Sequence, residues 1–265
     1  MSRLVIIKIV PLFFVLLVLF SCETKTVDKT DAAYKIKTYH YTQDDSLSPY
    51  VLIDIHYFQI DSDDIFAQKI NALILNEYKE SDEDIPNDPN QLLSLYFYMQ
   101  VGELKAMITE YGETERLPYE IDYDAIVVIN NDSLFTFEIR QNSFTGDAHR
   151  NRSIAYANYD LKTQKLIKRS DLFSDDEMIV LNKMGESTFR KEHHLDKTKS
   201  LAELGYSFDE GFKLPDNFLL KADSIWFYYG GYELGSYSPS EAEFSISYKD
   251  IKESLPEAHL FNYVN

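Results

Sequence analysis

The chain of 265 residues holds one cysteine, one tryptophan, nine glycines and only 26 basic residues against 44 acidic ones. Each shortage excludes something. A lone cysteine, Cys22, allows no internal disulfide framework and no zinc site built from thiolates. A formal charge of −18 repels phosphate backbones, so nucleic acid is not an expected partner. Phosphate-cradling glycine loops are missing, since Gly230-Gly231 lies in a tyrosine-rich stretch and not ahead of a helix. No G-x-S-x-G or S-x-x-K pattern sets up a serine nucleophile. What is present is a chain with 45% hydrophobic residues, 20 tyrosines and 17 phenylalanines, enough to build a real core.

The N-terminus predicts a destination. Arg3 and Lys8 flank and enter an apolar run ending at Phe20, the layout of a secretory signal and too short for a comfortable membrane span. It closes on Leu19-Phe20-Ser21-Cys22, which resembles a bacterial lipoprotein signal with a bulky Phe20. That resemblance implies cleavage after residue 21 and lipidation of Cys22, several acyl chains giving stable anchoring where one gives little. Losing Arg3 and Lys8 leaves a body near a charge of about −20. Residues 22–33 are polar and read as a tether.

From Tyr34 the pattern becomes structural. Residues 34–42 and 50–60 read as strands joined by a turn, and helices follow from Ser62-Asp63-Asp64 to about Tyr78 and over 91–111, where Gly112 is placed to end the second. Strands are expected at 123–130, 133–141 and 152–161, and a helix from Ser174 to about His194. The tail adds a short helical piece at 198–205, an extended stretch around 216–229, a strand at 241–248 and a final helical turn. Runs of strands and runs of helices predict an α+β fold of antiparallel sheets with packed helices, as two small tandem domains over 34–150 and 151–265.

Several short motifs carry a further resemblance. They are Gly146-Asp147-Ala148-His149, Asn158-Tyr159-Asp160-Leu161, Asp171-Leu172-Phe173, Phe212-Lys213-Leu214-Pro215-Asp216-Asn217-Phe218, Phe227-Tyr228-Tyr229, Tyr232-Glu233-Leu234 with Tyr237, and Ser247-Tyr248-Lys249-Asp250-Ile251. In order and spacing they resemble an extracytoplasmic paired-domain family. It is found in the outer part of the lysozyme-sensing anti-sigma factor RsiV and the non-catalytic N-terminal region of the deacetylase PdaC. Asp147 and Gln164 stand where that family carries glycine. The resemblance covers about residues 34–260 and implies an extracytoplasmic module without the sigma-binding or deacetylase part.

The candidate chemistry is thin. His149, in its glycine-containing loop, can contact a ligand or lock the loop on a backbone carbonyl. His193 and His194 are adjacent on a helix, so they point about a quarter-turn apart and cannot chelate one ion as an i, i+4 pair does. His40 and His56 sit in strands among aromatics and read as edge or partly buried residues. The acidic pairs Asp44-Asp45, Asp63-Asp64 and Asp175-Asp176 mark turns and helix starts before they mark calcium. Tyr228, Tyr229, Tyr232 and Tyr237 offer either a sugar- or protein-binding face or a sheet core with hydroxyls at its edge. The expectation is a lipid-anchored envelope protein that binds or senses, without cofactor or catalysis. Its ligand would be a lysozyme-like cationic protein or cell-wall glycan; the rival is a hydrolase acting on that glycan.

Overall fold

The computed structural model describes residues 32–44, 51–78, 88–112, 119–145, 150–208, 211–231, 233–235 and 241–264. The leader, the tether and Cys22 lie outside these, apart from Ala32 and Ala33. The first two aromatic and β-branched runs form β1 (Ile36–Asp44) and β2 (Val51–Ile60), paired antiparallel. Alternation along β2 buries Val51, Ile53, Ile55 and Tyr57 and turns Asp54 and His56 to the other face. Helix α1 (Ile65–Ile74) starts where the Asp64 carboxylate accepts the N–H of Ala67 at 2.8 Å. It ends earlier than the sequence predicts, the last residues forming a 3-10 turn, Asn76–Tyr78. Helix α2 (Pro89–Tyr111) has Pro89 in its first turn and stops at Gly112, whose φ of 84° suits glycine.

These two helices carry the chain to β3 (Tyr119–Asn130), which lies parallel to β2. A parallel neighbour needs a long crossover, and α1 and α2 supply it. The rest of the sheet is antiparallel: β4 (Leu134–Thr145), β5 (Asn151–Asp160) and the short β6 (Lys165–Leu166), in the order β1-β2-β3-β4-β5-β6. At the β3–β4 turn the Asn131 side chain accepts the N–H groups of Ser133 and Leu134, at 3.0 and 2.8 Å. At the β5–β6 turn Gln164 takes a left-handed φ of 54°, a conformation that favours glycine.

The C-terminal part begins with α3 (Arg169–Leu172) and α4 (Asp175–Glu192), the latter opened by a reciprocal Ser174–Glu177 capping box. A 3-10 turn occupies Ala202–Leu204. The extended stretch expected around 216–229 is two strands, β7 (Phe218–Leu220) and β8 (Ser224–Tyr229). With β9 (Ala242–Ser247) they make a three-stranded antiparallel sheet, and α5 (Tyr248–Ser254) follows. The architecture is α+β.

Two apolar cores result. One joins α1 and α2 to a face of the large sheet through Phe66, Ile70, Phe97, Tyr123 and Phe137. The other gathers Tyr206, Phe212, Tyr229 and Phe244 around the Phe189 ring of α4. Each fully buried Phe or Leu contributes about 1.5–3 kcal/mol relative to exposure. Residues 31–265 nonetheless form one compact unit. The division expected at 150/151 falls between β4 and β5, which pair without interruption from Leu134–Asp160 to Ser143–Asn151.

Candidate functional site

Residues directly opposite in a ladder share a face, so the registers define rows across the large sheet. On the face turned away from α1 and α2, one row runs His40, His56, Asp124, Arg140. The next runs Thr42, Asp54, Asp122, Asn142, Arg152. This outer face has two halves of different character.

Over β4 and β5 the C-terminal sheet covers it. Asn158 donates to the Phe218 carbonyl at 2.7 Å and accepts the Leu220 N–H at 2.8 Å, while Asn217 donates to the Ile154 carbonyl and accepts the Tyr156 N–H. Two asparagines thus complete the free backbone edges of β5 and β7. Beside them Arg140 bonds Glu138 and Glu243, each at 3.0 Å, Lys221 approaches Glu138, and the Tyr156 hydroxyl donates to Glu243. The Glu138 hydrogen bond raises the Arg140 pKa further above its ordinary value, burial opposing and Glu243 assisting. Burial alone would raise the Glu243 carboxyl, but the Tyr156 hydroxyl and Arg140 outweigh it and hold the group below the usual range.

Over β1 to β3 the face is open. His40 and His56 stack ring on ring, 4.0 Å between centroids and 8° between planes. His40 Nε2 lies 2.5 Å from Asp54 Oδ1, and His56 Nδ1 lies 3.4 Å from Asp124 Oδ1. One ligand atom from each of His40, Asp54 and His56 falls within 4.8 Å of the others. Asp122 adds another carboxylate, its pKa raised by partial burial and by Asp54, with Glu120 and Asp124 contributing and Arg150 opposing. The nearby Arg150 is already engaged by Glu120. Among the described residues, the ion-pair partners of Asp54 and Asp124 are therefore histidines, and carboxylate charge is in surplus here.

The residues singled out from sequence fare differently. Tyr228 and Tyr229 are 2% and 4% exposed, which corrects the view of them as a binding face. Tyr229 belongs to the C-terminal core and donates to the Lys213 carbonyl; Tyr228 donates to Glu241 at 2.9 Å. Burial leaves neither ring a free face to stack on a sugar. Asp147, His149, Tyr232 and Tyr237 lie outside the described residues. His193 caps the end of α4 beside the Phe189 ring, and burial, then His194, hold its pKa below the ordinary imidazole value. A hollow between α5 and the C-terminus, lined by Tyr248, Lys252, Glu253 and Phe261 among others, has one carboxylate and not the pair that glycoside hydrolysis needs.

Sequence reasoning passed over the His40–His56 pair because each histidine was weighed alone. The missing signal is arithmetic: a hairpin centred on residue 48 puts 40 opposite 56 and 42 opposite 54, the register that forms. The visible turn residues, Gln43 to Pro49, centre the hairpin two residues earlier and would have set His40 against Leu52.

Comparison with known proteins adds a family without an activity. Residues 170–249 match the model of a family described as a protein of unknown function, DUF3298. No curated protein matches the chain. A DUF3298 family structure from Bacteroides fragilis is 20% identical, with a TM-score of 0.65 over 84% of this chain and 94% of that one. Another from Pseudomonas aeruginosa is 16% identical, with a TM-score of 0.56 and the same coverages. Residues 170–249 are therefore similar to the DUF3298 family model, within a fold similar to that of two solved proteins described as members of that family.

Proposed function

We propose that this protein is a lipid-anchored binding or sensing module of the bacterial cell envelope, extracytoplasmic and without catalysis. Its N-terminal lipid on Cys22 would hold the body at a membrane surface, and the open outer face of β1 to β3 would meet the ligand. The observation that carries this reading is the carboxylate surplus on that face. Asp54, Asp122 and Asp124 stand together on an uncovered half-sheet, while the charges on the covered half are paired. A cationic protein, of the kind a lysozyme represents, fits such a face, and the net charge would speed its approach at low ionic strength. The resemblance to the outer part of RsiV supports the same ligand class.

Two measurements test the reading. A Cys22→Ala form should leave the membrane fraction for the soluble one, and an unchanged distribution refutes the anchor. Titration of the protein with lysozyme should give binding at low salt that weakens as salt rises. No binding at low salt rejects the cationic ligand.

A further inference from the structure

The stacked histidines ask for an explanation beyond a general acidic surface. Two imidazoles face each other across β1 and β2, and each has a carboxylate at contact or near-contact distance. All four side chains are half-exposed. We propose that His40, Asp54 and His56 bind a divalent cation of the zinc class, with Asp124 holding the His56 ring in orientation.

The donor set fits that chemistry. Imidazole nitrogen with carboxylate oxygen suits Zn²⁺, Co²⁺, Ni²⁺ and Cu²⁺ better than Mg²⁺ or Ca²⁺, which prefer oxygen ligands alone. Ligand atoms around a tetrahedral zinc with bonds near 2.0–2.1 Å stand about 3.3 Å apart. The three donors here already lie within 4.8 Å of one another, and the set closes when the rings swing out of their parallel stack to aim one nitrogen each at the shared ion. Asp124 Oδ1 lies 3.4 Å from Nδ1 of His56, and a slight approach would make the carboxylate–histidine–metal arrangement common around bound zinc, with Nε2 on the ion. At the other histidine, Nε2 and Asp54 Oδ1 already converge at 2.5 Å, a distance at which the two share a proton whose place is set by the tautomer. A cation bound by both groups displaces that proton and inserts between the two atoms. The surrounding charge favours it, because Asp122 stands beside Asp54 and Asp124 without an ion pair among the described residues, and Arg150 is turned to Glu120.

The register gives such a site a structural consequence. His40 belongs to edge strand β1 and His56 to β2, so one ion would staple the edge of the sheet. Three protein ligands leave a coordination position open to water or to a ligand donor.

The test uses the full chain in detergent, without a polyhistidine tag, titrated calorimetrically with ZnCl₂ and, separately, with CoCl₂ followed by its visible absorption. Saturable binding of one ion is expected, with the intense visible bands of low-coordinate Co²⁺. His40→Ala and His56→Ala should each weaken zinc binding by about tenfold or more, and Asp124→Asn by about tenfold through the ring it orients. A His193→Ala/His194→Ala form should bind like the parent. These positions are exposed or capping, and circular dichroism of each variant confirms that the fold is kept. Absence of saturable zinc binding overturns the proposal, as does binding that survives loss of both His40 and His56. Neither result bears on the anchor or on lysozyme, which membrane fractionation and the salt-dependent titration read independently.

Discussion

The two halves of one sheet face obey different rules. Over β4 and β5, where the C-terminal sheet covers the face, each charged group has a defined partner: Arg140 with Glu138 and Glu243, Lys221 with Glu138, and Tyr156 with Glu243. Over β1 to β3, where the face is open, carboxylates and histidines crowd together with little basic compensation. Desolvation explains the contrast. A buried charge without a partner costs several kcal/mol, so a covered face tolerates only closed networks, while an open face can hold unbalanced charge because water screens it. Imbalance that stability does not require is available for binding.

The largest expected effect lies in the covered half. Asn158 is 2% exposed and satisfies a carbonyl and an N–H of β7 together. Asn158→Leu fits the volume but leaves both backbone groups without partners, and should cost about 2–4 kcal/mol. Urea unfolding measures this, and a loss below about 1 kcal/mol would mean that water reaches the seam and that the half is not truly covered. Next comes Glu243→Gln, which should cost about 1 kcal/mol after allowing for its partial exposure. Here the pH dependence has a definite sign. The folded carboxyl titrates below its ordinary value, so its stabilisation is complete above the unfolded carboxylate pKa. It fades as pH falls through the lowered folded value. The margin of the parent over Glu243→Gln should therefore be constant near neutrality and shrink under acid conditions. A margin that grows on acidification would reverse the assignment of Arg140 and Tyr156 as its stabilisers.

This contrast also shows what the sequence could and could not tell. Strands and helices were legible because burial repeats with period two or near 3.6, as in Val51, Ile53 and Ile55 or in Phe66, Ile70 and Ile74. The parallel β2–β3 pair was not, since local patterning does not say which strand a crossover returns to. Several motifs behind the family resemblance prove to be structural. Asn158 and Asn217 clamp the two sheets, Asp160 accepts the Lys162 N–H in the turn, and Asp171 accepts the Lys168 N–H at the start of α3. Gln164 holds a left-handed φ where that family has glycine, a conformation costing roughly 1–2 kcal/mol for a residue with a Cβ. Such motifs report the fold and are silent on the ligand. Of the two readings the tyrosines offered, the sheet core describes Tyr229, which fills a core while its hydroxyl finds a carbonyl. The His40–Asp54–His56 cluster was hidden because it exists only in the hairpin register, which depends on where a loop turns.

The smallest expected effect is the most discriminating. Without metal, His40→Ala removes an exposed ring stack and one exposed pair with Asp54, so its stability should stay within about 0.5 kcal/mol of the parent. The same substitution on a face built for stability would cost several times more, as Asn158 and Glu243 should on the covered half. Thermal unfolding in chelator decides it. A fall of more than about 1 kcal/mol would make the histidine stack a structural device and remove the contrast between the halves. Near-neutrality in chelator, together with a rise in midpoint on adding zinc to the parent but not to His40→Ala, would fix the open half as a place where the fold gives up nothing to hold a ligand. Ligand binding raises stability in proportion to the logarithm of ligand over Kd, about 2.7 kcal/mol at a hundredfold excess, so even modest affinity is visible in the midpoint.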